Sequence, residues 1–565
     1  MRKLSRTVAV ALFPCLFGLS LFSTSTYAKY DPARDYQEVP SIVKQFPAPS
    51  LDLGTPAFAA DKRDFTSQDE LTAFIAGLSK TSLNLRVTTI GKSQKGKDIP
   101  MLVFSQTQDV SAQQLIKNGK PTVLIVAMQH GDEPASGEGA LAYAKSLAQG
   151  KEGDVLSWVN VLIVPRANPD GADAFTETLA NGVDLNKDHL ALSSPESRAL
   201  ASVMNEYQPD VVLDSREYQP AGRWLEKFGA LARYDSMIQY ATAPNLSTKV
   251  TTLSERTFRQ SLINTLESNG LSHSGYLTLD GEGADKGLVN MGSIDANTFR
   301  SAAGLRNAVS LSFATRGVGL GKAHFARRVY TQYLSIQSLV KAAAKNHDDV
   351  IAQRRGVREE INAQAGQGAI VVRGKSLPSP MTLSMMDAKT ADNVKVNVQV
   401  ESALDVMPVL TRPRPYAYLL PPSEKASVAR LKALGVDVYQ VSEKQTIKAQ
   451  QYALVPLSKS AQTIKAPEAA RRLLSHLESV SLELAPGYYY VPLNQPLANL
   501  VVTLLEPDAP DSMLASGVMK TPASPKAQKG KKAKASAAKE ASKDDSLRLP
   551  LYRVHERPDI ASVAM

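Results

Sequence analysis

PTVLIVAM, residues 121–128, runs directly into QHGDEP, residues 129–134, and this stretch decides the fold. Its first eight residues carry no charge, and Val123, Leu124, Ile125 and Val126 are consecutive apolar side chains. Side chains alternate across a strand, so an unbroken apolar run predicts a strand buried on both faces. A strand covered twice needs a layer above and a layer below, and the flanking sequence supplies them. Val159–Val164 (VNVLIV), Asp210–Leu213 (DVVL) and Ala308–Phe313 (AVSLSF) are further buried-strand candidates. Helical patterns alternate with these runs. Ser67 and Glu70 form a capping box, and Leu71, Phe74, Ile75 and Leu78 follow at the i, i+3, i+4, i+7 spacing of one helix face. Ser194, Pro195 and Glu196 supply a cap, a first-turn proline and an acid for a second helix. The alternation predicts an α/β sheet with helices on both faces, whose ligands bind at the carboxyl ends of strands.

Farther out the pattern changes. Residues 29–66 are Pro-rich and irregular. A second, smaller α/β or β-rich region is expected over 350–519. Within it Gly366–Val400 is strand-like, and Tyr416–Leu420, a helix over Ser423–Leu434 stopped by Gly435, and Val436–Val441 read as strand, helix and strand. Tyr488–Pro492 and Leu497–Leu505 read as further strands. The region has no cluster of histidines and acids, which predicts a structural or substrate-positioning role.

The two ends bound the function classes. Arg2, Lys3 and Arg6, the apolar run Val8–Phe22 and the small residue Ala28 have the layout of a secretory leader over 1–28. That run is shorter than the roughly 20 residues a bilayer span needs, and no later run is long enough. The expected protein is exported, periplasmic or secreted, with no transmembrane span once the leader is removed. Cys15, the one cysteine, lies inside the leader, so the mature chain has no disulfide, no thiolate ligand and no cysteine nucleophile. The net charge of +10 is uneven. Removing +3 for the leader and +7 for Lys520–Lys543 leaves the folded body near neutrality. The lysine-rich segment 520–546 is low in complexity and has no interleaved aromatic, so a solvated, disordered stretch is expected and no nucleic-acid partner. A short segment, 547–565, follows it.

With cysteine excluded, a metal site must use histidines and carboxylates. His130 and Glu133, three residues apart on the turn leaving the first buried strand, can aim at one point. Both donate well to Zn²⁺, and a catalytic zinc commonly has three protein ligands and a water. No Gly-x-Ser-x-Gly elbow is present to support a serine triad.

Three blocks in order, QHGDEP at 129–134, PRANPDG at 165–171 and DLNKDH at 184–189, resemble the carboxypeptidase A-like zinc carboxypeptidases. The resemblance continues through Gly304-Leu305-Arg306 and Thr315-Arg316-Gly317, and covers roughly Phe65 to Val340. It implies a mixed sheet covered by helices over 29–345, and a zinc enzyme acting on a peptide or other carboxylate-bearing substrate. It also implies roles. His130 and Glu133 match the first two zinc ligands. Arg166 matches the arginine facing the scissile carbonyl, where a fixed cation would stabilise an oxyanion. Asn186 matches the asparagine that holds a substrate carboxylate. Lys187 stands where the family has arginine, which keeps the charge and loses the bidentate fork.

Two departures bear on the chemistry. The third ligand of the family is a histidine near the end of a strand, and here the position is Arg216. Arginine is always charged and offers a metal no lone pair. The family's general base is a glutamate directly before Thr-Arg-Gly, and here the position is Ala314, which cannot accept a proton. The zinc implied by the resemblance would therefore meet an incomplete site. Glu217 is expected to point to the opposite face of the strand from Arg216. His189 is placed in the substrate pocket, and His273 reads as a surface or hydrogen-bonded residue. Two functions follow. One is a metallopeptidase hydrolysing peptide or related amide bonds near a free carboxylate, with impaired catalysis. The other is an inactive pseudo-peptidase in which Arg166, Lys187 and Arg216 form a cationic pocket for peptide or stem-peptide carboxylates.

Overall fold

The computed structural model describes residues 30–51, 53–279, 287–456, 473–520 and 547–565. The expected leader and nearly all of the lysine-rich segment lie outside the described residues. Among the described residues no helix is long and apolar enough to cross a membrane.

The central sheet has eight strands: β1 (Leu85–Lys92), β2 (Asp98–Phe104), β3 (Thr122–Ala127), β4 (Asn160–Val164), β5 (Val211–Tyr218), β6 (Ser236–Tyr240), β7 (His273–Gly275) and β8 (Val309–Arg316). Their order is β1-β2-β4-β3-β5-β8-β6-β7. The inner four, β4-β3-β5-β8, are parallel. Antiparallel pairings of β1 with β2, β2 with β4 and β6 with β8 make the sheet mixed. All four expected strands are here, and β3 is buried along its whole length.

Both faces of β3 are covered, as its composition demands. Val123 and Ile125 pack in one core with Leu141 of α2 (Pro134–Ala148) and Leu339 of a 21-residue helix, Phe325–Lys345. Leu124 and Val126 pack on the other face with Leu200 of α3 (Pro195–Tyr207) and with Phe299. The capping box forms at the head of α1 (Gln68–Thr81): Ser67 Oγ accepts from the Glu70 amide at 3.2 Å, and Glu70 Oε2 accepts from the Ser67 amide at 2.7 Å.

Beyond the central sheet, the long hairpin Ala369–Asp387 with Asn393–Pro413 belongs to a five-stranded sheet, and a seven-stranded sheet follows. The helix His347–Ala363 spans both regions, with Val350 in the first core and Val357 and Ile361 in the second. Gly435, at φ +81°, ends the helix Lys425–Ala433, because a left-handed residue there costs glycine little. Leu497–Leu505 is not a strand. Ala498–Leu505 is a helix buried on almost all sides, with Leu500, Val501, Leu504 and Leu505 in the second core. Six of its eight residues are apolar and all but Thr503 are buried, so the apolar positions mark no single face and burial rather than pattern decides the conformation.

Candidate functional site

The site lies at the carboxyl ends of β3, β5 and β8 and opens into a cavity of about 870 Å³. Its floor is two interlocked turns. After β3, the Gly131 amide donates to Thr176 O at 2.9 Å, and a Cβ on Gly131 would sit 1.9 Å from the Gly171 carbonyl carbon. Asn168 ties the turns together: its Oδ1 accepts from the Gly171 amide at 2.8 Å, and its Nδ2 donates to Gln129 O at 3.2 Å. The Asn-Pro-Asp-Gly block thus holds the turn carrying His130 and Glu133, the latter just before α2.

His130 and Glu133 do converge. Imidazole Nδ1 is 2.9 Å from Glu133 Oε1, and Nε2 is 2.8 Å from Asp184 Oδ1. Glu133 is 2 % exposed, and its Oε2 accepts from the Glu217 amide at 3.1 Å. Where a third ligand would complete the set stands Arg216. Its Nη2 is 2.9 Å from His130 Nδ1, 3.3 Å from His130 Nε2 and 3.5 Å from Glu133 Oε1. Ala314 pairs in register with Arg216 across β5 and β8, so the two share a face of the sheet. It is fully buried in an apolar cluster with Met237, Leu277 and Trp224.

Burial and Arg216 press the His130 pKa down, but the Glu133 and Asp184 carboxylates outweigh them and raise it to about 9. Glu133 is held below the ordinary carboxylate range, because His130 and Arg216 more than offset its burial. Asp184 is likewise held low, its burial outweighed by its hydrogen bond to His130. The cluster is therefore balanced: an imidazolium and a guanidinium face two carboxylates.

A zinc of the family type does not fit this arrangement. The guanidinium occupies the point to which His130 Nδ1 and Glu133 Oε1 are aimed, and a protonated imidazole has no lone pair to donate. Unit charges 4 Å apart interact by about 4 kcal/mol at the effective dielectric of a protein, so a dication beside Arg216 would face roughly 8 kcal/mol of repulsion. On the other side of the ring, ligand atoms of His130, Glu177 and Asp184 lie within 4.8 Å of one another. Two cations share that space: Arg216 Nη2, 3.3 Å from His130 Nε2, and Lys187 Nζ, 3.7 Å from Asp184 Oδ2.

The remaining candidates separate. Asn186 lines the cavity, and its Oδ1 accepts from the Phe299 amide at 3.3 Å. Lys187 lines the cavity with an exposed side chain. Arg166, expected to face a scissile carbonyl, does not line it. Its Nη2 donates to Thr66 O at 2.6 Å and its Nη1 to Gln68 Oε1 at 3.3 Å, because buried Glu138 and the chain ahead of α1 draw the guanidinium away. His189 is not in the pocket either. It is buried against Phe299, with Nε2 2.7 Å from Gln129 Oε1, and burial lowers its pKa to about 4. Glu217 points to the opposite face, where Oε1 accepts from Arg328 Nε at 2.8 Å. His273 sits on an edge strand, 3.2 Å from Glu267. Sequence reasoning missed Arg300 and Tyr276, both of which line the cavity, and gave Asp184 and Glu177 no role. Asp184 sits in the quoted DLNKDH block, but nothing in the sequence marks it as the partner of His130.

Residues 71–260 match the family model of the zinc carboxypeptidases. Carboxypeptidase 2 of Trichophyton rubrum is 28 % identical over 463 residues, spanning 80 % of this chain and 84 % of its own length. Among solved structures, a metallo-carboxypeptidase from Burkholderia cenocepacia is similar at 17 % identity and TM-score 0.34, over 48 % of this chain and 69 % of its own. The carboxypeptidase A of Helicoverpa armigera is similar at 18 % identity and TM-score 0.38, over 52 % and 78 %.

Proposed function

We propose that this chain, which belongs to the zinc carboxypeptidase family, binds the free carboxylate end of peptides and does not hydrolyse them. One observation carries the reading: Arg216 Nη2 lies 2.9 Å from His130 and 3.5 Å from Glu133, in the place a metal would need. The guanidinium there and the His130 imidazolium together balance the Glu133 and Asp184 carboxylates, so the turn after β3 keeps its shape without an ion. Ala314 beside it removes the proton acceptor that hydrolysis requires. What remains is recognition. Asn186, Lys187 and Arg216 line one cavity with cationic and amide groups, which suits a carboxylate. The basic start, apolar run and Ala28 of the first 28 residues support an exported protein, periplasmic or secreted, that meets peptides outside the cytoplasm.

The test is calorimetry on the purified chain with matched peptides ending in a free carboxylate or an amide, beside a hydrolysis assay with and without a chelator. Free-acid peptides are expected to bind, amides to bind at least about tenfold more weakly, and neither to be cleaved. Cleavage that a chelator abolishes would overturn the reading. So would equal affinity for acids and amides.

A further inference from the structure

Arg300, like Arg166, is a buried arginine of the central domain with no ion pair among the described residues, and of the two it is the one that lines the cavity. It is the second residue of a short helix, Phe299–Gly304, opened by Thr298, whose Oγ1 accepts from the Ser301 amide at 3.3 Å. Its side chain is 6 % exposed and lines the same cavity as Lys187 and Arg216. Buried Arg216, Arg316 and Arg328 each have a carboxylate in ion-pair contact, from Glu133, Glu38 and Glu217. Arg300 has none among the described residues. Its Nη2 donates to Ser293 O at 3.1 Å, its Nη1 reaches Ser312 Oγ only at 3.5 Å, and its Nε has no partner. Asp214 is the acid that acts on it most, and both of its oxygens are engaged: Oδ1 by Gln129 Nε2 at 2.7 Å and Oδ2 by Ser312 Oγ at 2.8 Å. A guanidinium buried without a carboxylate is costly, and burial lowers its pKa to about 10.

The location gives a meaning to a cation with no carboxylate partner among the described residues. Asn186 Oδ1 accepts from the amide of Phe299, the residue before Arg300, so the carboxylate-binding end of the cavity and Arg300 are joined through the start of one helix. We infer that Arg300 recognises an acidic side chain, so that the ligand is a peptide whose last residue is glutamate or aspartate. Its main-chain carboxylate rests at Asn186 and Lys187, and its side-chain carboxylate takes Nε and an Nη of Arg300 in a bidentate pair. The inference rests on the carboxylate-binding reading above and specifies which peptides that site takes.

The test is calorimetry on the full chain with N-acetyl tripeptides that differ only in the last residue: Glu, Asp, Gln or Leu. Glu- or Asp-ending peptides are expected to bind about 10- to 100-fold tighter than the Gln-ending one. Arg300→Met is expected to bring all four to the affinity of the Gln-ending peptide, and Arg300→Lys to restore part of the preference while keeping a cation in the fold. Equal binding of the four peptides, unchanged by Arg300→Met, would overturn the inference and leave the carboxylate-binding reading standing. Absence of binding by every free-acid peptide would overturn both. If the peptides are cleaved instead, the preference is read in kcat/KM, and its absence there overturns the inference independently of the claim of inactivity.

Discussion

Replacing Arg216 by methionine removes the guanidinium while keeping much of the side chain's length and apolar volume. What it leaves is worked out from the contacts. Glu133, 2 % exposed, loses a cation at 3.5 Å but keeps His130 at 2.9 Å and the Glu217 amide at 3.1 Å. Breaking a buried pair costs about 3–5 kcal/mol, and the surviving partners put this case at the lower end, about 3 kcal/mol. Glu133→Gln alone leaves Arg216 short of its carboxylate and is expected to cost a similar amount. The double variant removes both charges and should cost less than the sum, with a coupling of about 2 kcal/mol. The chain has two tryptophans, Trp158 and Trp224, and Trp224 lines the cavity. In a Trp158→Phe background the fluorescence of Trp224 therefore reports urea unfolding of this region specifically. A cost below about 0.5 kcal/mol for Arg216→Met, with no coupling to Glu133→Gln, would show that the guanidinium is not part of the buried pair.

Arg216→His supplies a second imidazole, beside that of His130, where the family has its third ligand, and elemental analysis of that variant should find near one zinc per chain, against far less in the parent. His189 sets a pH limit. It is neutral in the fold with a pKa of about 4, against about 6.5 when unfolded, so stability is full above pH 6.5 and declines as the unfolded chain takes up its proton down to pH 4. The loss should approach about 3 kcal/mol at the acid end, and denaturation of His189→Gln, which keeps a donor for Gln129, should show a flatter profile over that window. Gly131→Ala would place a methyl 1.9 Å from a backbone carbon of the neighbouring turn, so one turn must move. The expected cost is about 3 kcal/mol or more, seen as a lower melting temperature and weakened peptide binding.

What the sequence disclosed follows the range of the interactions. The inner strands were legible because burial on both faces demands an unbroken apolar run, and β3 and β4 have one. The α1 cap was legible because both partners lie within four residues. Ala498–Leu505 was not, since a fully buried helix and a buried strand share one composition. His130 and Glu133 could be paired from their spacing, and Arg216 from its place on β5. Distance in the chain hid the rest. His324 is paired at 2.6 Å with Glu38, 286 residues away, although its own neighbourhood offers no acid. The direction of Arg166 is set by Thr66 and Gln68, about 100 residues earlier, which no local pattern marks. Arg300 was hidden for a different reason: its significance lies in having no carboxylate partner among the described residues, and a missing contact leaves no trace in a sequence.

Arg216 and Ala314, in register on neighbouring strands, are linked by charge balance. With His130 protonated, two cations already face Glu133 and Asp184, and the cluster sums to zero. A glutamate at 314, in register beside Arg216 and buried among Met237, Leu277 and Trp224, would add a carboxylate with no counter-charge of its own. An unpaired buried carboxyl escapes that cost by staying protonated. Ala314→Glu is therefore expected to destabilise the chain more at pH 8 than at pH 5, whereas Ala314→Gln, of equal size, should cost the same at both. The difference between the two variants isolates charge from crowding. In an Arg216→His background one cation is gone and a zinc dication can enter, so Ala314→Glu should there lose its excess cost once zinc is added. If the glutamate and glutamine variants track each other across pH in both backgrounds, charge does not select alanine at 314. Crowding against Trp224 and Met237 would then be the reason for it.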